Sequence, residues 1–109
     1  MRHHGSMSAW LTPADGDVDR DRIIELLRAT GGEPHWWSDD PGKVYSPHQH
    51  AYHKVLFCVT GSIVFVVDDE QLYLTPGDRL DIEPLTLHAA VAGPDGITCG
   101  EVAASTPPS

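Results

Sequence analysis

Near the start of the chain, apolar residues recur at the spacing of a helix. Asp17 or Asp19 before them and the Gly31–Gly32 pair after them are residue types that begin and end helices. The pattern therefore predicts one short helix over about residues 18–30. Its buried face would consist of four apolar side chains, Ile23, Ile24, Leu26 and Leu27.

After this helix, short apolar runs alternate with turn-forming residues. The runs are rich in Val, Ile, Leu and aromatic residues and recur at intervals of about 8–12 residues, which predicts an all-β sandwich or barrel. Turn formers such as Thr60–Gly61–Ser62 and Gly93–Pro94–Asp95–Gly96 separate them. The predicted strands are Lys43–Ser46, Tyr52–Val59, Ser62–Asp68, Gln71–Leu74, Arg79–Ile82, Leu87–Ala92 and Ile97–Ala103.

The length of 109 residues predicts one structural domain with additions at both ends. The first residues resemble the remnant of an expression tag, so His3 and His4 are left out of any site. The expected division is a tag remnant over 1–6, an N-terminal segment with the helix over 7–34, the β-barrel over 35–103 and a flexible tail over 104–109.

Composition and charge argue against two classes of binding partner, nucleic acids and membranes. Seven Lys and Arg against sixteen Asp and Glu give a net charge of −9, which would repel a nucleic-acid backbone. The longest apolar run, Ile63–Val67, is too short to cross a bilayer, and the chain shows no secretory signal. Cys58 and Cys99 are expected to be free thiols in the core. We therefore expect a cytoplasmic protein with no nucleic-acid or membrane partner.

Histidines provide the candidate chemistry. His48 and His50 point to the same face of an extended strand, with Cα atoms about 7 Å apart, so both imidazoles can reach one ion. His88 in a later strand would join them if the sheet folds onto itself. The alternative is that all three are ordinary strand residues.

Two stretches resemble the motifs of the cupin superfamily. HQHAYHKVLFCVTG, residues 48–61, is similar to the first motif, which has His-x-His, then Glu, then Gly. LTPGDRLDIEPLTLH, residues 74–88, is similar to the second, with its Pro-Gly-Asp turn and closing His. The resemblance implies a small single-domain cupin, which is an all-β, cupin-type jelly-roll β-barrel, here with one short N-terminal helix.

Carried over by position, the resemblance implies that His48, His50 and His88 bind one divalent transition metal, with Fe, Ni, Zn, Mn or Cu as candidates. The glutamate ligand of the family falls on Lys54, whose protonated side chain has no lone pair for a metal. Three interpretations follow. Lys54 points into the cavity and binds an anionic substrate group, or it pairs with a buried acid such as Glu101 or Asp81 and has no chemical role, or it marks a protein that has lost metal binding.

Other side chains near the motif have less definite roles. Tyr52 shares the strand parity of His50 and is a candidate for the substrate pocket, whereas His53 should face outward unless a bulge turns it into a fourth ligand. Trp36 and Trp37 would cover a barrel end, line a dimer interface or line the pocket. Hydrophobic side chains such as Val55 and Leu56 are expected inside the barrel.

The resemblance implies two functions of different classes. One is a metal-dependent enzyme, of the dioxygenase or isomerase type, that acts on a small organic substrate. The other is a cupin that binds or senses a small sugar-like molecule without catalysis and without a required metal. A third, plainer possibility is a structural or storage-type barrel with an inert cavity. No catalytic residue is assigned. A homodimer formed through edge strands is expected in each case.

Overall fold

In the computed structural model of the protein, residues 8–104 are described in full and residues 4–5 as backbone. The expected tail after residue 104 and most of the expected tag remnant lie outside this part. The elements are β1 (His4–Gly5), β2 (Ala9–Thr12), α1 (Arg20–Gly31), β3 (His35–Asp39), β4 (Val44–His48), β5 (Lys54–Val67), β6 (Glu70–Leu74), β7 (Arg79–Ile82) and β8 (His88–Ala103).

All strands join one antiparallel sheet built around its two longest members, β5 and β8. These two pair along most of their length, from Lys54 opposite Ala103 to Val66 opposite Ala89. In the first half of this β5–β8 ribbon, β7 flanks β5 and β3 flanks β8. In the second half, β6 flanks β5 and β4 flanks β8, while β2 and β1 continue the sheet beyond β7.

The ribbon bends at its middle, at residues whose types predicted turns. Gly61 has a φ of 76°, and a Cβ there would lie 2.0 Å from the carbonyl oxygen of Gly96. Between the pairs Gly61–Ile97 and Ile63–Ala92, β8 advances three residues more than β5 does. The predicted breaks at residues 60–62 and 93–96 are therefore wrong: each is a bulged bend inside a continuous strand, because the pairing survives the bend.

The bend lets both halves of the ribbon face the same interior. Leu56 and Cys58 point inward before it, and Ile63 and Phe65 point inward after it, so the inward parity changes from even to odd. Together with side chains from β6, β7 and β8 they form the interior cluster. Cys58 and Cys99 lie opposite each other there as buried free thiols, as expected.

The opposite face of β5 is covered by the helix. Val55, Phe57 and Val59 pack with Ile23 and Leu27 of α1 in a second, separate apolar cluster. Val55 therefore lies under the helix, and the expectation that it lines the barrel interior is wrong. Leu56, its neighbour, does face the interior.

Helix α1 begins and ends close to the predicted positions. The Asp19 side chain accepts a hydrogen bond from the Arg22 N–H at 3.2 Å, which caps the first turn. Gly32, with a φ of 100°, ends the helix, and Arg28 of the last turn forms an ion pair with Glu33 at 2.7 Å.

No helix in the described part of the chain is long and apolar enough to cross a membrane.

The all-β architecture with one short N-terminal helix is confirmed. Three strands were not predicted: the two-residue strand β1, which pairs with β2, and the strands β2 and β3. β2 lies within the expected N-terminal segment and extends the sheet through β7. β3 carries both tryptophans beside β8: Trp36 packs against the helix-side cluster and Trp37 against the interior cluster.

Candidate metal centre

Three histidines meet where the second half of the ribbon ends. His48 is the last residue of β4 and lies directly opposite His88, the first residue of β8. His50 belongs to the loop that follows β4, and its carbonyl oxygen accepts a hydrogen bond from the Leu85 N–H at 2.7 Å. Strand pairing therefore positions two of the rings, and a contact between two loops positions the third.

The three rings are close enough to share one ion. One ring nitrogen from each of His48, His50 and His88 lies within 4.8 Å of the others. The ring centroids are 4.3 Å apart for His48 and His88, 5.0 Å for His48 and His50, and 5.3 Å for His50 and His88. The three predicted ligand residues are thus brought together.

Backbone carbonyls orient two of the rings. Nδ1 of His48 donates to the carbonyl oxygen of Ser46 at 2.7 Å, and Nδ1 of His88 donates to that of Thr86 at 2.8 Å. In a neutral ring this leaves the lone pair on Nε2. Such contacts are typical of histidines that bind metals.

Two Nε2 atoms have no partner in the protein. Within the described part of the chain, Nε2 of His50 and Nε2 of His88 are buried and accept no hydrogen bond. Buried polar atoms are almost always satisfied, so an orphaned pair in one place is unusual. Neutral imidazole nitrogens suit zinc, copper, iron and nickel, so the residues present fit a bound transition metal.

The surroundings favour the neutral form of these rings. Burial lowers the pKa of His88 to about 4, with smaller lowering effects from His48 and Lys54, although the Thr86 hydrogen bond opposes this change. Burial and then Lys54 also lower the pKa of His50. At neutral pH, both rings therefore keep the lone pairs that a metal requires.

Lys54, at the start of β5, is nearly buried, with 9% of its surface exposed. Its Nζ lies 3.2 Å from Oε2 of Glu101, which belongs to the neighbouring strand β8. The other carboxylate oxygen of Glu101 accepts a hydrogen bond from Nε1 of Trp37 at 2.8 Å. Of the two acids considered as partners of Lys54, Glu101 is the one that it contacts.

A cavity of about 300 Å³ adjoins the histidines. His48 and His88 line one side of it, and Lys54 and Glu101 also line it. The remaining wall combines apolar side chains with polar ones from β3 and β4. These wall residues include Trp37, Asp39, Tyr45, Leu56, Ile63 and Phe65.

Tyr45 and Asp39 form a second polar pair in this wall. The hydroxyl of Tyr45 donates a hydrogen bond to a carboxylate oxygen of Asp39. Burial, together with this contact, raises the pKa of Tyr45 well above its usual value, so the hydroxyl keeps its proton. Sequence reasoning missed this pair, because β3 was not predicted and nothing local connects Asp39 to the barrel.

Two further residues of the motif lie outside the cavity wall. Tyr52 stacks on His50 with ring centroids 4.9 Å apart and is 39% exposed. It is not among the described residues that line the cavity. His53 binds Asp81 at 2.9 Å and does not belong to the histidine cluster found among the described residues.

Comparison with known proteins gives a family and a fold. A family model of the cupin domain matches residues 30–96, which is more than half of the chain. A search of curated proteins finds no match. The match to KdgF from Halomonas sp. covers 97% of this chain and 90% of that one, with 21% identity and a TM-score of 0.57.

Two further solved structures are similar. An RmlC-like cupin from Shewanella frigidimarina is 27% identical, with 67% of this chain and 66% of that one covered and a TM-score of 0.58. The ribosomal oxygenase YcfD from Escherichia coli, in complex with cobalt and succinic acid, is 21% identical, with a TM-score of 0.63. The alignment with YcfD covers 82% of this chain but only 27% of that one, so this likeness concerns the fold alone.

Proposed function

The chain belongs to the cupin domain family, and from this premise we propose that it binds one divalent transition metal through His48, His50 and His88. The metal then serves an enzymatic reaction, of the dioxygenase or isomerase type, on a small organic substrate held in the adjoining cavity. Among the described residues, these three histidines form the group that could hold an ion, while His35 lines the adjoining cavity.

The orphaned Nε2 atoms of His50 and His88 are the observation that carries the proposal. A buried polar atom without a partner costs about 1–3 kcal/mol of folding free energy. Two such atoms directed at one place, next to the third ring, are explained if an ion binds to them. If the histidines had only a structural role, no interaction in the described chain would offset the free-energy cost of these unpaired atoms.

The residues around the cluster support a reaction. The carbonyls of Ser46 and Thr86 accept hydrogen bonds from Nδ1 of His48 and His88, which orients the two rings and leaves the lone pair on Nε2. Leu56, Ile63 and Phe65 make part of the cavity apolar, which excludes water from the bound substrate. When bound, a metal with three histidine ligands has open coordination positions, and it supplies Lewis acidity or redox chemistry there.

The donor set defines the candidate metals. Three neutral imidazoles suit Fe, Ni, Zn or Cu as the divalent ion, and Mn stays a candidate through the family resemblance alone. YcfD, part of which has a similar fold at 21% identity, forms a complex with cobalt, which supports a transition metal here.

One observation favours a second function, in which the protein binds a small sugar-like molecule without a metal. The family's carboxylate ligand is replaced by Lys54, and Glu101 is engaged with Lys54 and Trp37 rather than directed at the histidines. A cavity with paired charges and hydrogen-bonding groups also suits a neutral polar ligand. The metal content of the protein separates the two functions.

The decisive experiment is elemental analysis of a chain that starts at Met7, so that His3 and His4 bind no metal. We expect about one equivalent of a transition metal in the wild type and in the matched control His53→Ala, and almost none in His50→Ala. If the wild type stays metal-free after incubation with Fe(II), Ni(II) and Zn(II), the metal-independent function replaces the first proposal.

The expected homodimer and the cytoplasmic location stay predictions. An uncharged stripe of Tyr73, Val64, Val91 and Val44 crosses β6, β5, β8 and β4, and three of these four side chains are well exposed. This stripe supports association of two copies. Sedimentation equilibrium would give the mass of a dimer, whereas the mass of a single chain would refute the prediction.

A further inference from the structure

Lys54 has hydrogen-bonding capacity that the protein does not use. Its ammonium group carries three N–H donors, but within residues 8–104 the acceptor that contacts it is Oε2 of Glu101. The side chain is nearly buried and lines the cavity beside His48 and His88. Donors of this kind have to be satisfied by water or by a ligand in the cavity.

Glu101 compensates the charge of Lys54, and both of its carboxylate oxygens already have partners in the protein. One of its carboxylate oxygens faces Lys54 and the other accepts the hydrogen bond from Trp37. The carboxylate is therefore held by two elements, β5 and β3, and is not directed at the histidines. Any further acceptor for the N–H donors of Lys54 must therefore come from water or from a ligand in the cavity.

With a divalent ion bound, the cavity would carry a net positive charge, which favours an anionic ligand. A divalent ion and Lys54 carry three positive charges, against the two negative charges of Glu101 and Asp39. One positive charge is left in a cavity that is partly walled by Leu56, Ile63 and Phe65. A net charge in such surroundings is costly unless a counter-charge lies beside it.

We propose that the cavity binds a small organic carboxylate that lies between the three-histidine site and Lys54, with a carboxylate oxygen accepting a hydrogen bond from Nζ. The assignment rests on the proposed metal site, because the ion supplies most of the positive charge. A volume of about 300 Å³ lies at the lower limit of ordinary ligand pockets, so the acid is small.

The test uses protein loaded with Co(II), with acetate as the probe and the visible absorption of the metal as the readout. Two variants isolate Lys54: Glu101→Gln, and the double variant Lys54→Met/Glu101→Gln. Neither leaves an unpaired carboxylate, and Gln keeps an acceptor for Trp37. We expect acetate to bind about tenfold or more tightly to Glu101→Gln than to the double variant, because a charge-assisted hydrogen bond is lost in the latter.

A comparison in the wild type needs no variant. Acetamide has the shape of acetate without its charge, so we expect acetamide to bind about tenfold or more weakly. Equal binding of the two probes would show that the ligand is not an anion. Co(II) uptake with equal acetate affinity in the two variants would remove Lys54 from the ligand site and leave the metal site intact. A protein that takes up no Co(II) would overturn the metal site and the bridging carboxylate together.

Discussion

His50 and His53 lie three residues apart in one loop, yet their surroundings are opposite. Nε2 of His50 is buried without a partner beside two other imidazoles. Nε2 of His53 lies 2.9 Å from Asp81, and its Nδ1 lies 3.4 Å from Glu83. The positions of the carboxylates make the difference: two of them contact the ring of His53, whereas Nε2 of His50 has no such partner and keeps a lone pair for a metal.

The contrast extends to the neighbours of each ring. Asp81 also accepts two hydrogen bonds from Arg79, at 2.8 and 3.1 Å, so the His53 site is a network of paired charges. Around His50 and His88 the charged group with the larger effect is a cation, Lys54, which lowers the pKa of both rings, while Glu101 has a smaller, raising effect on the pKa of His50. One site therefore stabilises the fold, whereas the other is disposed for binding.

The largest expected effect is on the acid stability of the metal-free protein. In the unfolded chain His88 titrates near its ordinary pKa of 6.5, but in the folded protein the pKa is about 4. Between these values the unfolded state takes up a proton that the native state does not, so stability is lost as the pH falls through this window. The shift corresponds to about 3 kcal/mol.

Urea unfolding at pH 7 and pH 4, with a chelator present, measures this loss. Other groups titrate in the same range, so the relevant quantity is the difference between the wild type and His88→Gln. We expect the variant to lose about 3 kcal/mol less than the wild type on acidification. Equal losses would mean that His88 is not held in its neutral form, and the contrast between the two sites would be weaker.

A smaller effect is expected when the His53 site is broken. In Asp81→Ala, Arg79 and His53 lose their shared partner, and we expect a loss of about 2 kcal/mol in unfolding free energy. The loss is moderate because both partners are partly exposed and can bind water instead. Urea unfolding gives the stability, and elemental analysis should show metal content unchanged. Loss of metal with unchanged stability would reverse the assigned roles.

Much of the histidine cluster could be predicted, because its signal is local. His48 and His50 are two residues apart, and the turn that contains Pro76, Gly77 and Asp78 marks the second motif. The side chain of Asp78 binds the N–H of Thr75 inside this turn and the N–H of Ala14 outside it. Short-range patterns of this kind are visible in a single sequence.

The partner of Lys54 could not be chosen in the same way. Glu101 and Asp81 were both candidates, and each lies in a predicted strand. Register decides between them: β8 places Glu101 opposite Leu56, with its side chain in the interior, whereas Asp81 is held by Arg79 and His53. Pairing between distant strands depends on the whole sheet and cannot be read from one strand.

The fold shows the same limit. The predicted turn at Gly61 is a bend because β8 continues its pairing with β5 across it. Strand β3 forms by pairing with β8, a partner that lies some sixty residues away in the sequence. The glycine signals a change in backbone direction, with its φ of 76°, but a hairpin turn and a bulged bend use the same residue types. Only the course of the partner strand distinguishes them.

The smallest expected effect gives the sharpest comparison of the two loop histidines. His53→Gln removes a hydrogen bond to Asp81 from a side chain that is partly exposed, with 26% of it accessible, and Gln still reaches Asp81 through its amide group. We therefore expect a loss of about 1 kcal/mol or less in unfolding free energy.

Zinc at a hundredfold excess over its dissociation constant should still stabilise this variant by about 2.7 kcal/mol, as in the wild type. In His50→Gln the same zinc concentration should stabilise the protein far less, since one of its three ligands is gone. If zinc instead stabilised His50→Gln fully and His53→Gln not at all, His53 would be the metal ligand, because stabilisation by a ligand requires binding to the native state.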